Sequence, residues 1–348
     1  MDAIDAFKLA MEAVYGPLDN LTAQDAGNWT PPASPGAGGH GGRYLWTDAF
    51  GVINFLTLYK ETSTVRYLNL ATSLVYSVHN ILGRTRDGSQ RLPGATEDAP
   101  LTGGLRIGKM AESGADGDGQ YHHYLTIWMF ALNRMSVATG EPKFNNWAME
   151  LAKAIHTHFV VPDTRGSKRM VWKISTDMKQ VLVPSEGHLD AATGFAVYRL
   201  LQQTAGLYGK GDEVSLRAEI ADYSAMMMRP GKLAPTSDSL DLGMGLWMCQ
   251  FCLDEPWADG FVDTSLRMLR DGLDHGLRRY KRLAFREFGA YLGVRCIGAD
   301  EELQDRVETL IKSWDGTGGH VDEELKPISH VMYASALIPG GEFCMSIT

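Results

Sequence analysis

The chain has 348 residues, 44% of them hydrophobic and 22% charged, which is enough apolar material for a large core. Its net charge of −9, with no Lys/Arg run, argues against a nucleic-acid surface. The N-terminal stretch lacks the basic start and apolar centre of a signal peptide. No run of about eighteen apolar residues exists to span a membrane, so a cytoplasmic protein is expected.

Helical periodicity dominates, and the predicted helices are of two kinds. Residues 5–15, "DAFKLAMEAVY", form an amphipathic helix with one wet face. A loop rich in Gly and Pro (16–43) leads to 44–59, "YLWTDAFGVINFLTLY", which is apolar nearly all round. The amphipathic 64–82 follows, then a second long loop (83–119) and the apolar 120–135, "QYHHYLTIWMFALNRM". Another wet helix, 142–159, precedes a short strand pair expected around "RMVWKIST" and "QVLVPS". The apolar segments 187–202, 239–253, 285–297 and 328–338 then alternate with the amphipathic 212–228, 256–275 and 300–314. Several of the wet helices open on good N-terminal signals, such as "TGEPKF" and "GADEEL".

A helix that is apolar all round must be buried on every side. Six of each kind, in strict alternation, describe six helical hairpins with a dry inner ring and a wet outer ring. That is an all-α (α/α)6 barrel, expected as one domain over residues 1–348, with long loops and a small β-hairpin at the pocket end. Glycines on the inner helices (Gly51, Gly194, Gly243, Gly245, Gly289, Gly293) are expected to ease crowding near the axis.

Inner helices of such a barrel run the same way, so their N-termini meet at one end under the long loops. Polar residues cluster at that end of every hairpin: Trp46 and Asp48; Gln120, Tyr121, His122 and His123; Glu186, His188 and Asp190; Asp238 and Asp241; Arg286 and Glu287; Ser329 and His330. Six partly positive helix ends also favour carboxylates or an anionic ligand there. Each residue has a plainer reading: Asp190 and Asp238 suit helix caps, and a lone histidine is more often a satisfied core group. His122 and His123 lie about 100° apart round the helix, so only one faces the axis fully. The convergence of six clusters on one mouth is what points to a ligand site. The loop "LTGGLRIGKMAESGADGDG" carries Arg106 and Lys109 among glycines and could fold over the mouth to hold a carboxylate or phosphate. It is not a phosphate-binding P-loop, because no Ser or Thr follows the lysine.

Cys249 and Cys252 form a C-x-x-C inside the apolar run "LWMCQFCLDE" and read as small core residues. No H-x-x-x-H or H-E-x-x-H spacing occurs on the inner helices, so neither a metal nor a cofactor is expected.

The alternating hairpins, with Trp46-Thr47-Asp48 in the first inner helix and aromatic–acid clusters in the rest, resemble the six-hairpin glycosidase superfamily. The segments "GGLRIGK" (103–109) and "SEGHLDAATG" (185–194) are similar to stretches in its uncharacterised members. The resemblance covers the whole chain at the level of architecture and carries no specific catalytic motif. It implies glycoside hydrolases and, in a related barrel, epimerases that use a histidine pair. In a hydrolase, Asp48 and Glu186 would be the acid/base carboxylates, with Asp241 and Glu287 as further candidates. In an isomerase, lyase or cyclase, His123 and His188 would transfer the proton, with His330 beside them. Arg286 and Arg106 would hold an anionic group, while Trp46, Gln120, Tyr121, His122, Asp190 and Asp238 would bind substrate. The expected partner is a small polyhydroxylated molecule, a glycosidase-like hydrolase being the first expectation. A non-enzymatic scaffold is the alternative that needs no mouth.

Overall fold

The computed structural model describes residues 2–114, 116–209, 214–275, 283–314, 321–338 and 341–344. Its helices are α1 (Ala3–Tyr15), α2 (Ala23–Gly27), α3 (Leu45–Thr62), α4 (Val65–Ile81), α5 (His122–Thr139), α6 (Pro142–Phe159), α7 (Asp190–Leu207), α8 (Arg217–Met227), α9 (Ser239–Cys249), α10 (Ala258–His275), α11 (Ala284–Ile297), α12 (Glu301–Lys312) and α13 (Lys326–Leu337). The apolar helices α3, α5, α7, α9, α11 and α13 pack in that order, and α13 returns to α3, so the inner ring closes. Outside it, α4, α6, α8, α10 and α12 each pack on the inner helix that precedes them, and α1 packs on α13 and α3. This is an (α/α)6 barrel.

Burial follows the two sequence patterns. Every residue of α3 from Leu45 to Leu58 is buried, as a helix surrounded on all sides requires. The outer helix α12 buries only Leu303, Val307 and Ile311, a single stripe at helical spacing. Among the described residues no helix is long and apolar enough to cross a membrane.

The glycines do a different job from the one expected. A Cβ on Gly51 would meet the Tyr15 hydroxyl at 2.0 Å, one on Gly194 the Tyr223 ring at 2.8 Å, and one on Gly245 the Phe261 ring at 2.8 Å. These three seat aromatic side chains of the outer ring. Gly243, Gly289 and Gly293 line the seam between α9 and α11, where a Cβ on Gly243 would lie 2.0 Å from the Gly289 carbonyl oxygen. Small residues here serve contacts between helices, not the axis. The axis is filled by aromatic rings. Phe130 lies 4.9 Å from Trp247 and 6.0 Å from Phe343, and Phe343 lies 4.7 Å from Phe50. Phe343 belongs to residues 341–344, which fold back into the ring. The Gln250 side chain donates to its carbonyl, and Arg134 pairs with Glu342.

The strands are β1 (Gln120–Tyr121), β2 (Val160–Pro162), β3 (Lys168–Met170), β4 (Lys173–Ile174) and β5 (Val181–Val183). The expected pair forms as antiparallel β4–β5, and β1 adds to its other edge. β2 and β3 make a separate hairpin. Several boundaries differ from expectation, among them the end of α7, which runs on to Leu207 rather than stopping at 202. α2 breaks the first long loop, started by a capping box between Thr22 and Asp25. α9 ends at Cys249 rather than at residue 253, where Gln250 turns its side chain back to the Trp247 carbonyl. α8 begins at Arg217 rather than at the expected 212, since 214–216 are not helical; residues 212 and 213 themselves lie outside the described residues.

Candidate active site

The residues just before or at the start of the inner helices surround one cavity. Tyr44, Tyr121, Leu189, Asp238 and Leu325 are the N-terminal cap residues of α3, α5, α7, α9 and α13, and all line it, as does Arg286 from the first turn of α11. The cavity has two lobes, of about 550 and 440 Å3, which share Trp46, His123, Trp172, Leu240 and Arg286.

The larger lobe lies under the loops and is walled by rings. Tyr121 stacks on Trp172 at 5.3 Å and 11°, and on His123 at 5.4 Å and 19°. Trp172 reaches the mouth because it sits between β3 and β4, where pairing with β1 holds it beside Tyr121. Tyr44 and Tyr124 close the wall, their hydroxyls 2.9 Å apart. Lys109 also lines this lobe and is paired with Asp116 at 2.6 Å.

The smaller lobe holds the titratable groups. Asp190 opens α7 and is 3% exposed, with its Oδ2 buried and without a partner among the described residues. A helix N-terminus favours a charged carboxylate. Here burial outweighs that, and Asp241 and Glu186 add negative charge, so the Asp190 pKa is pushed up to about 8. The group is a neutral acid at pH 7, able to donate a proton. His188 donates from Nε2 to the Ala234 carbonyl at 2.8 Å, because a carbonyl can only accept. In the tautomer with its proton on Nε2, Nδ1 is the acceptor atom of the ring, and no hydrogen-bond partner holds it among the described residues. His123 is the opposite case. The Trp172 indole N–H, a donor only, reaches its Nδ1 at 3.3 Å, so the neutral ring carries its proton on Nε2. Burial among the rings holds its pKa well below the ordinary 6.5 and keeps it neutral. Its Nδ1 lies 4.0 Å from Asp190 Oδ1. Asp241 is pushed up by burial and by Asp238. Glu186 is ion-paired with Lys232, and Asp238 caps α9 while pairing with Arg286.

The structure thus brings together Trp46, Tyr121, His123, Glu186, His188, Asp190, Asp238, Asp241 and Arg286 of the sequence-derived set. The others lie elsewhere. Asp48 is fully buried behind the mouth, salt-bridged to Arg43 at 3.0 Å and bonded by the Tyr15 hydroxyl and the Tyr44 amide. Burial raises its pKa to about 6 against the opposing pull of Arg43. His122 turns to the outer ring, its Nε2 2.8 Å from the Tyr223 hydroxyl. His330 packs on Trp314 and lines neither lobe. Glu287 also lines neither lobe, and burial pushes its pKa up to about 7.

Arg106 and Gln120 are anchors rather than ligand groups. Arg106 spends its guanidinium on Asp118 and on the Arg84 and Ile81 carbonyls. Asp118 also accepts from Arg86 and from the amides of Gly108, Lys109 and Gly119. The Gln120 amide ties Leu105 to Gly103 and Thr176. Together they fix the loop that delivers Lys109. Met110 and Ala111 line the larger lobe from the loop expected over the mouth, Ile328 lines it from the first turn of α13, and Glu324 and Leu325 from just before that helix; none of the five was singled out as a site residue in the sequence. Among the described residues no three His, Cys, Asp or Glu side chains converge as metal ligands.

No protein-family model matches the sequence, and no curated protein matches it. The fold is similar to that in the crystal structure of a sugar epimerase from a ruminal bacterium. The TM-score is 0.53 and the identity 14%, over 85% of this chain and 87% of that one. At that identity the likeness is one of fold.

Proposed function

We propose that the protein is an enzyme acting on a carbohydrate-like, polyhydroxylated small molecule by acid/base chemistry of the isomerase or epimerase type. The observation that carries this is the smaller lobe, where His188, whose Nδ1 has no partner among the described residues, and a neutral Asp190 carboxyl, whose Oδ2 has none among them, line one cavity. An imidazole acceptor nitrogen and a protonated carboxyl lining the same cavity are what proton transfer next to a carbonyl needs. His188 Nδ1 takes the proton from the carbon beside the carbonyl, and the electron pair moves onto the carbonyl oxygen. The Nε2–H of His123 and the Arg286 guanidinium are available to stabilise that oxygen. Asp190 then delivers a proton to the carbon, and exchange with solvent resets both groups. The fold's likeness to a sugar epimerase supports this reading.

The same lobe gives one reason to keep hydrolysis as a second reading. A protonated Asp190 flanked by Glu186 and Asp241 has the chemical make-up of a general acid beside a carboxylate base. The pairing of Asp48 with Glu186 first expected for a hydrolase has no support, because Asp48 is locked behind the mouth by Arg43.

Incubating reducing sugars and glycosides with the protein in D2O separates the two. Deuterium gained at the carbon next to the carbonyl, lost in His188→Gln and Asp190→Asn, supports the isomerase. Cleaved glycoside without carbon-bound deuterium supports the hydrolase, and neither product from any sugar class would remove the carbohydrate reading.

A further inference from the structure

The charges that line the smaller lobe do not cancel. Four carboxyl groups line it, those of Glu186, Asp190, Asp238 and Asp241. Glu186 is paired with Lys232 and Asp238 with Arg286, so each has its own counter-charge. Asp190 is a neutral acid at pH 7, its pKa pushed up to about 8 by burial, Asp241 and Glu186. That leaves Asp241. Among the described residues no cation pairs with it, and its carboxylate accepts one long hydrogen bond, from the Thr236 hydroxyl at 3.4 Å. Burial and Asp238 push its pKa up, against the pull of His188, Thr236 and Arg286. A half-buried carboxylate beside other acids, without a counter-ion of its own, is the electrostatic complement of one positive charge.

Two more groups of the lobe lack partners. Asp190 is 3% exposed and its Oδ2 is unpartnered among the described residues; Trp247 is fully buried and its indole N–H is unpartnered among them too. A protonated carboxyl and an indole N–H both donate, so both suit oxygen atoms on a ligand. The wall also carries the rings of Trp46, His123 and Trp172, and aromatic faces attract cations. An anionic substrate is disfavoured, because Lys109 and Arg286 are already held by Asp116 and Asp238. Among the described residues no three His, Cys, Asp or Glu side chains converge on a metal, which favours an organic cation. We infer that the smaller lobe recognises a protonated amine on the substrate, held by the Asp241 carboxylate among the faces of Trp46 and Trp172, while Asp190 and Trp247 meet hydroxyl oxygens. The substrate class is then an amino sugar with a free amino group. The amine part rests on the balance of charges, and the sugar part on the acid/base reading above. The chain's net charge of −9 attracts the same cation at longer range.

Calorimetric titration at pH 7 tests it with glucosamine, galactosamine and mannosamine, with glucose, galactose and mannose, with the three N-acetyl amino sugars, and with cyclohexylamine against cyclohexanol. At least one amino sugar is expected to bind tenfold or more tightly than both its neutral parent and its N-acetyl form, with the preference shrinking as NaCl is raised. Asp241→Asn should bring that amino sugar down to the level of its neutral parent. Asp238, not Asp241, caps α9, so the variant keeps the helix start. Trp172→Leu, at a side chain that is 37% exposed, is a second variant and should weaken amine binding severalfold. No saturable binding of any amine, equal binding of amines and their neutral counterparts by the wild type, or a preference kept in Asp241→Asn overturns the inference. Neutral sugars that bind where amines do not overturn it and leave the acid/base reading standing. Cyclohexylamine bound through Asp241, with no sugar bound, upholds the cation site and counts against the carbohydrate reading.

Discussion

Asp190 is under two opposing influences, the positive end of α7 and a dry setting shared with Asp241 and Glu186, and the second prevails. Its pKa rises from the ordinary 3.8 to about 8 on folding. Between those values the unfolded chain has released a proton that the folded chain keeps. The folded state therefore loses stability as pH rises across that window, by up to about 1.4 kcal/mol per pH unit for one proton. Asp190→Asn removes this dependence. Urea midpoints measured from pH 5 to pH 8 should fall less with pH in the variant than in the wild type, and equal slopes would deny the raised pKa. Asp48 is the converse lesson. As part of "WTD" it was the most prominent acid of the first inner helix, yet Arg43, five residues earlier, claims it. Sequence periodicity gives the helix face but not which neighbouring loop residue folds over it. Asp48→Asn leaves the buried Arg43 unpaired and should cost about 3–5 kcal/mol in a denaturant titration. A change below 1 kcal/mol would show that the pair contributes little. His122 and His123 show the limit of the same rule. About 100° of rotation said that one of them would miss the mouth, but only the packing of Tyr223 against His122 said which.

At the scale of elements, the helices were legible because each buried stripe, or its absence, repeats over three or more turns. All six hairpins follow the alternation read from the sequence. The connecting segments were not legible, because their conformation depends on polar contacts between residues far apart in the chain. Arg106 and Gln120 carried chemistry in the sequence reading, and both turn out to hold the loop at 103–119 in place. Asp118 is the centre of that anchor, accepting from two arginines and three amides. Asp118→Ala would leave buried Arg106 without its counter-charge. The expected loss is about 3–5 kcal/mol of stability, together with faster hydrogen exchange at Gly108 and Lys109. Unchanged exchange at those amides would contradict the anchoring role. The short strands matter for the same reason. The alternation in "RMVWKIST" marked β4, but only the pairing of β1 with β4 explains how Trp172 comes to stack on Tyr121.

At the scale of the molecule, one end of the barrel is open and the axis below it is filled. Six inner-helix N-termini surround the cavity, and beneath it Trp247, which lines the smaller lobe, packs on Phe130, which packs on Phe343. Phe343 completes that ring cluster from residues 341–344, a segment whose role no periodic pattern could reveal. Phe343→Ala should cost about 3–5 kcal/mol in thermal or chemical unfolding, and a loss under 1 kcal/mol would mean that the filled axis does not depend on this ring. The central claim concerns the mouth, and ligand-induced stabilisation tests it most directly. Melting temperatures would be compared for wild type, His188→Gln, Asp190→Asn and His330→Gln across neutral sugars, uronic acids, sugar phosphates and N-acyl amino sugars. A ligand at about a hundred times its Kd adds about 2.7 kcal/mol. The account predicts a clear upward shift with one sugar class, reduced in His188→Gln and Asp190→Asn and kept in His330→Gln. No shift with any class, or a shift kept in the first two variants and lost in His330→Gln, would contradict it.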